Sequence, residues 1–174
     1  MTEHEDDLVI RRAKVDDAPA IARVHIASWQ EAYAGIVPAD VLDNLDVARR
    51  EEQWRDWLER GPQESIRIWL AAKGPDVVGF SSLGPSRDED ADRRTSEIYT
   101  IYLLPSAWGR GAARELMRTM LAEPEAEDPI TLWVLSDNER ARHFYRRHGF
   151  AHDGTERIES FGGAQLLEVR YRRG

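Results

Sequence analysis

Between residues 97 and 121 the hydrophobic period switches from strand to helix across a turn that holds two glycines. Residues 98–103 (Ile, Tyr, Thr, Ile, Tyr, Leu) are rich in β-branched and aromatic side chains and read as a strand. From Gly111 onward, Ala113, Leu116, Met117, Met120 and Leu121 fall on one helical face. The turn between them runs Pro105-Ser106-Ala107-Trp108-Gly109-Arg110-Gly111. The same succession then repeats: residues 130–135 read as a strand and 138–148 as a helix closed by Gly149.

Further elements flank this strand–helix–strand–helix unit. Leu8, Val9, Ile10 and Arg11 make a short first strand. Asp16 and Asp17 then offer caps for a helix carrying Ala22, Ile26, Trp29 and Tyr33 at helical spacing, ended by Gly35. A second helical region opens at Val37-Pro38-Ala39-Asp40 and runs through Trp54, Trp57 and Leu58 to Gly61-Pro62. Residues 66–71 and 77–81 read as an antiparallel hairpin turned by Lys73-Gly74-Pro75-Asp76. Residues 156–160 and 165–171 form a last hairpin turned by Gly162-Gly163. The expected class is α/β, a mixed and mostly antiparallel central sheet flanked by helices, in one domain spanning 1–174. The acidic loop 86–94 reads either as a solvated hairpin connection or as an acidic lip on a binding site.

Composition narrows the partners. The net charge of −8 lacks the basic field of a nucleic-acid binder and suits a cationic molecule or free amine, or simply solubility. No apolar run approaches the roughly 20 residues of a membrane span, and the acidic start does not resemble a secretory signal. With no cysteine there is no disulfide, thiolate nucleophile or thiolate-held zinc, which fits a reducing cytoplasm.

At the glycine turn, the first N–H groups of the following helix point at whatever lies there, and the helix dipole favours an anion. Gly109 and Gly111 let a phosphate approach the main chain, with Arg110 and Arg114 close by; the bland alternative is an ordinary strand-to-helix turn. Position 114 is Arg, so there is no dinucleotide fingerprint, and neither a P-loop nor a Gly-x-Ser-x-Gly elbow occurs. His143 and His148 are badly spaced for a shared metal, and no metal is expected. Tyr145 shares a stripe with Ala141, Phe144 and His148, a pattern that taken alone means packing.

Taken together, Trp108-Gly109-Arg110-Gly111-Ala112-Ala113 and the pattern Asn138, Ala141, Phe144, Tyr145, Gly149, Phe150 resemble the GNAT N-acetyltransferase superfamily. That family carries Gln/Arg-x-x-Gly-x-Gly/Ala after its fourth strand, and the element order from Leu8 to Tyr171 also matches. Trp108 departs from the usual Gln or Arg, which weakens a side-chain contact more than a main-chain cradle. The resemblance implies a GNAT-like acyl-CoA acyltransferase fold and acetyl-CoA as co-substrate.

It also implies roles for individual residues. The stretch Ile101, Tyr102 and Leu103 would hold the pantetheine arm, through the backbone of Ile101 and Leu103 as an added strand does. Gly109, Arg110, Gly111, Ala112, Ala113 and Arg114 would hold the pyrophosphate, and Asn138 would hydrogen-bond the pantetheine. Tyr145 would protonate the leaving thiolate, and Glu97 either acts as a base through water or is a simple surface residue. Trp29 and Tyr33 would roof the acceptor or else form a buried stripe. The acceptor would be a primary amine of a small molecule or a peptide N-terminus. A rival is a non-catalytic acyl-CoA-binding module. Homodimers are common in the family, and the Trp-rich second helix offers a surface for one.

Overall fold

The computed structural model describes residues 7–125 and 127–174, so residues 1–6, on which the reading against export mainly rests, lie outside it. In chain order its elements are β1 (Leu8–Arg12), α1 (Ala18–Ala32), α2 (Ala39–Asp43), α3 (Val47–Arg60), β2 (Arg67–Lys73), β3 (Asp76–Pro85), β4 (Ser96–Leu103), α4 (Ala112–Leu121), β5 (Ile130–Leu135), α5 (Glu139–Arg147), β6 (Ala151–Phe161) and β7 (Ala164–Arg173). The strands form one sheet in the order β1-β2-β3-β4-β5-β7-β6. Every neighbouring pair is antiparallel except β4–β5. That pair is joined by α4, the kind of crossover that parallel strands require.

Alternation along the strands splits the core into two layers. Leu70 and Phe80 turn to one face, where Ile21, Ala22 and Val24 of α1 and Trp54 of α3 cover them. Trp69, Ile98, Leu132 and Val134 turn to the other, against Leu116, Met117 and Met120 of α4 and Tyr145 of α5. Leu116, Met117 and Met120 are fully buried, as the helical spacing predicts. Each contributes about 1.5–3 kcal/mol by leaving water.

Two local expectations are revised. The helical region from 37 to 60 breaks into α2 and α3, because Asp46 caps a new helix: its Oδ1 accepts from the Arg49 N–H at 3.1 Å. Asp17 sits at the N-cap position of α1 without capping it. It pairs bidentately with Arg11 at 2.8 and 2.9 Å and accepts from the Lys14 N–H, which holds its carboxyl below the usual range and ties the helix start to β1.

The acidic loop between β3 and β4 is neither merely solvated nor a lip. Its Asp88 and Asp90 fold back on Arg170 of β7 at 3.3 and 2.7 Å, and Asp88 also accepts from the Trp133 indole at 3.0 Å. Arg170 is buried, and Asp90 together with Asp153 at 2.6 Å raises its pKa. A buried guanidinium must be paired, so the acids gather round it.

Candidate active site

β4 and β5 pair at only three positions, Ser96↔Ile130, Glu97↔Thr131 and Ile98↔Leu132, and then part. The parting coincides with a bulge in the β3–β4 register, where Tyr99 has no residue opposite it. A bulge adds local twist and turns the strand aside. The opened space is a cleft of about 1170 Å³ bordered by both strands, α1, the glycine turn and α5.

Along this gap β4 shows a bare edge. The Leu104 N–H donates to Val78 C=O on the β3 side at 2.8 Å. In a pleated strand the N–H and C=O groups of Leu103 and Ile101 therefore face the cleft. The Leu103 C=O already accepts from the Ser28 hydroxyl of α1 at 3.0 Å. Tyr102 departs from its neighbours: it is paired with Phe80 across β3, and its ring stacks on His25 of α1 with centroids 5.3 Å apart. Its side chain thus belongs to the α1 end of the cleft, away from the arm that Ile101 and Leu103 would hold.

At the other end, Gly109 and Gly111 have φ of +73° and +89°, a region that favours glycine, and Gly111 is the N-cap of α4. No side chain caps that helix. The Glu115 N–H bonds back to Gly111 C=O at 3.1 Å, so the N–H groups of Ala112, Ala113 and Arg114 precede the first helical bond. A Cβ on Gly109 would meet nothing within 4 Å, so the turn opens on free space. Trp108, where Gln or Arg was expected, lies under Arg140 of α5, whose guanidinium is 3.7 Å from the ring centroid. A guanidinium from α5 thus stands over position 108.

Asn138 caps α5, its Oδ1 accepting from the Ala141 N–H at 3.1 Å. With the oxygen so engaged, the Nδ2 group is left as a donor beside the cleft. Tyr145 is both core and cleft wall: it is 9% exposed, touches Phe144, Phe150 and Tyr171, and lines the cleft. Burial raises the pKa of its phenol, which therefore stays protonated.

The structure does not bring Glu97 to these residues. It is 2% exposed, does not border the cleft, and is held by the Arg87 N–H at 3.0 Å and guanidinium at 2.7 Å. Arg87 in turn lies over Tyr99, whose hydroxyl donates to Pro85 C=O.

Trp29 on α1 and Tyr33 just past its end stand together, both against Phe161 from the tip of the β6–β7 hairpin, with centroids 4.9 and 5.3 Å away. The hairpin lies so close to α2 that a Cβ on Gly162 would meet Val41 Cγ1 at 2.6 Å. Beneath this roof Trp54 Nε1 donates to His25 Nδ1 at 3.0 Å. An indole can only donate, so the His25 proton sits on Nε2, which is buried without a partner. Burial, with Arg50 nearby, lowers the His25 pKa to about 3.

Residues 26–150 match the acetyltransferase (GNAT) family, well over half of the chain. The chain belongs to the GNAT family. It is 36% identical over 164 residues to the uncharacterized N-acetyltransferase YuaI of Bacillus subtilis (strain 168), covering 93% of this chain and 90% of that one. It is 27% identical over 171 residues to the L-amino acid N-acetyltransferase AaaT of Escherichia coli (strain K12), covering 95% and 96% of the two chains. The structure of yncA, a putative acetyltransferase from Salmonella typhimurium with its cofactor acetyl-CoA, shares the fold with a TM-score of 0.70 at 20% identity, covering 95% and 92%. As a GNAT protein this chain is an acetyl-CoA-dependent acyltransferase.

Several groups lining the GNAT cleft or packed behind its wall went unmarked in the sequence. Arg50 lies in a charged run that reads as a solvated helix face, yet its guanidinium is 4.9 Å over the Trp29 ring. Glu168 borders the cleft from β7 and is paired with Arg157 at 2.9 Å. His25 stands one helical turn before Trp29, a spacing that could have drawn attention to it. No cluster of His, Cys, Asp and Glu suited to a metal occurs among the described residues, and no described helix is long and apolar enough to cross a membrane.

Proposed function

We propose that the protein moves the acetyl group of acetyl-CoA onto a primary amine by direct attack within the β4–β5 cleft. The observation that carries this is the parting of β4 from β5, which puts a bare strand edge, an uncapped helix start and Tyr145 on one cavity. The edge at Ile101 and Leu103 suits an amide-bearing arm, as strand addition does. The N–H groups of the glycine turn suit a pyrophosphate, with Arg140 beside them. The amine nitrogen bonds to the thioester carbon, the C–S bond breaks, the amine sheds a proton to water, and the sulfur receives one from Tyr145, which regains it from solvent.

A lysine-type amine, with pKa about 10.4, is neutral about once in 2,500 at pH 7, a cost of roughly 4.6 kcal/mol. A peptide α-amine with pKa near 8 costs only about 1.4 kcal/mol, within reach of a water relay, and a free amino acid, whose carboxylate raises the pKa of its amine, falls between the two. Since Glu97 is committed to Arg87 away from the cleft, the reading assigns it no proton and favours the α-amine. The name of the E. coli relative, an L-amino acid N-acetyltransferase, points the same way.

A raised phenol pKa makes full transfer to a thiolate uphill, so Tyr145 acts by donating as charge develops on sulfur, worth about 10²- to 10⁴-fold. The test is release of free coenzyme A thiol from acetyl-CoA over a mixed panel of amino acids, small amines and peptides. Amine-dependent release is expected. Tight acetyl-CoA binding with no release from any amine would instead identify an acyl-CoA-binding module.

A further inference from the structure

Seven guanidinium groups lie over aromatic rings among the described residues. Five of them are also ion-paired: Arg12 with Glu123, Arg87 with Glu97, Arg142 with Glu139, Arg157 with Glu168, and Arg170 with Asp88, Asp90 and Asp153. Only Arg50 and Arg140 have no carboxylate partner among the described residues, and each covers a tryptophan that lines the cleft. Arg140 stands by the glycine turn, where phosphates are expected. Arg50 stands at the opposite end, over Trp29.

Arg50 is half-buried, and that burial, with Arg49 beside it, holds its pKa below the usual value. The indole satisfies the face of the guanidinium but leaves its in-plane N–H groups free, and stripping a charge of water without an acceptor is costly. One more donor near it lacks an acceptor: the His25 Nε2–H is buried without a partner. Burial raises the pKa of the Tyr102 hydroxyl beside it, while the Trp29 indole pulls it the other way. That hydroxyl senses both Arg50 and Glu168. Glu31, with no ion pair among the described residues, lines the same end as Glu168 and suits an ammonium group.

We propose that Arg50 is the site for a carboxylate on the acceptor, so that the preferred amines are free amino acids. This rests on the acetyl-transfer reading and names its substrate class. The negative net charge of the whole chain favours cations at long range, but a local unpaired guanidinium decides what is held at contact.

The test compares L-amino acids with their own carboxamides, by kcat/KM for thiol release. The carboxamide amine is more often neutral at pH 7 and intrinsically readier to attack, so any preference for the acid reports recognition. The wild-type enzyme should favour the acids by about 10- to 100-fold, the scale of one charge-assisted contact. Arg50→Gln should remove most of that preference and Arg50→Lys less of it, with acetyl-CoA affinity unchanged. Where Arg50→Gln is poorly folded, Arg50→Lys and the wild-type acid-to-carboxamide ratio still give the answer. Equal use of acids and carboxamides by the wild-type enzyme, or an unchanged ratio in Arg50→Gln, would overturn the carboxylate site while leaving acetyl transfer intact. Thiol release with no amine of either kind would sink the acetyl-transfer reading and this inference together.

Discussion

The two ends of the cleft are made by different means. At the end proposed for the phosphates, one continuous stretch from Leu103 to Arg114 offers main-chain groups: a bare strand edge, two left-handed glycines and an uncapped helix start. At the end proposed for the acceptor, the wall is made of side chains, Trp29, Tyr102 and Glu168 from α1, β4 and β7, with Arg50 of α3 and Phe161 of the last hairpin packed on Trp29. Main-chain chemistry is the same for every residue, so the first end suits a ligand common to a whole family. Side-chain chemistry changes with each substitution, so the second end is free to differ in what it accepts. Tyr145 stands between them, on α5.

The largest effect tests that junction. Tyr145→Phe should lower kcat by about 10²- to 10⁴-fold and leave the acetyl-CoA Kd unchanged by calorimetry. An unchanged kcat would return Tyr145 to a packing role alone. Because burial raises its pKa, no loss of activity traceable to this phenol is expected up to about pH 9. Next, Gly111→Asp should weaken acetyl-CoA binding by about 30- to 100-fold, since it strains a φ of +89° and places a negative charge at the helix start. Its effect on an acceptor's own KM should be small, and a large one would blur the division between the ends.

The third prediction concerns His25 beneath the acceptor roof. Its pKa falls from 6.5 to about 3 on folding, so between those values the unfolded chain binds the additional proton. Stability should therefore drop as pH falls below about 6.5, by up to about 1.4 kcal/mol per pH unit from this group. Urea unfolding between pH 7.5 and 4.5 should show a shallower pH slope in His25→Gln than in the wild type. Equal slopes would mean that His25 is charged in the folded protein. The smallest effect is that of Arg140→Ala, an exposed side chain added to a main-chain cradle. It should raise the acetyl-CoA Kd by about 3- to 10-fold in low salt and less at high salt. A loss as large as that of Gly111→Asp would mean that side chains, not the backbone, hold the phosphates.

Much of the architecture was legible in the residues. The strands at 98–103 and 130–135 and the helix face of Leu116, Met117 and Met120 appear where hydrophobic period puts them. The break between α2 and α3 was harder to see, because Asp46 lies in a polar run where a cap and a solvated helix residue look alike. The loop at 86–94 was read by its own charges, whereas its conformation is governed by Arg170, about 80 residues onward and buried behind β5. The pairing of Arg87 with Glu97, which holds that carboxylate away from the cleft, turns on a loop closure that no motif records.

From the chain read in order came the strand, the glycine turn, the helix start and the tyrosine-bearing helix. These depend on φ, on hydrophobic period and on hydrogen bonds within a few residues, all of which are local. Folding settled which charges are left without partners. Whether Arg50 meets a carboxylate, whether His25 keeps its proton and whether Glu97 reaches the cleft depend on side chains brought together from distant segments. Desolvation and pairing are properties of that assembled neighbourhood, and they have no value until the sheet has closed around it.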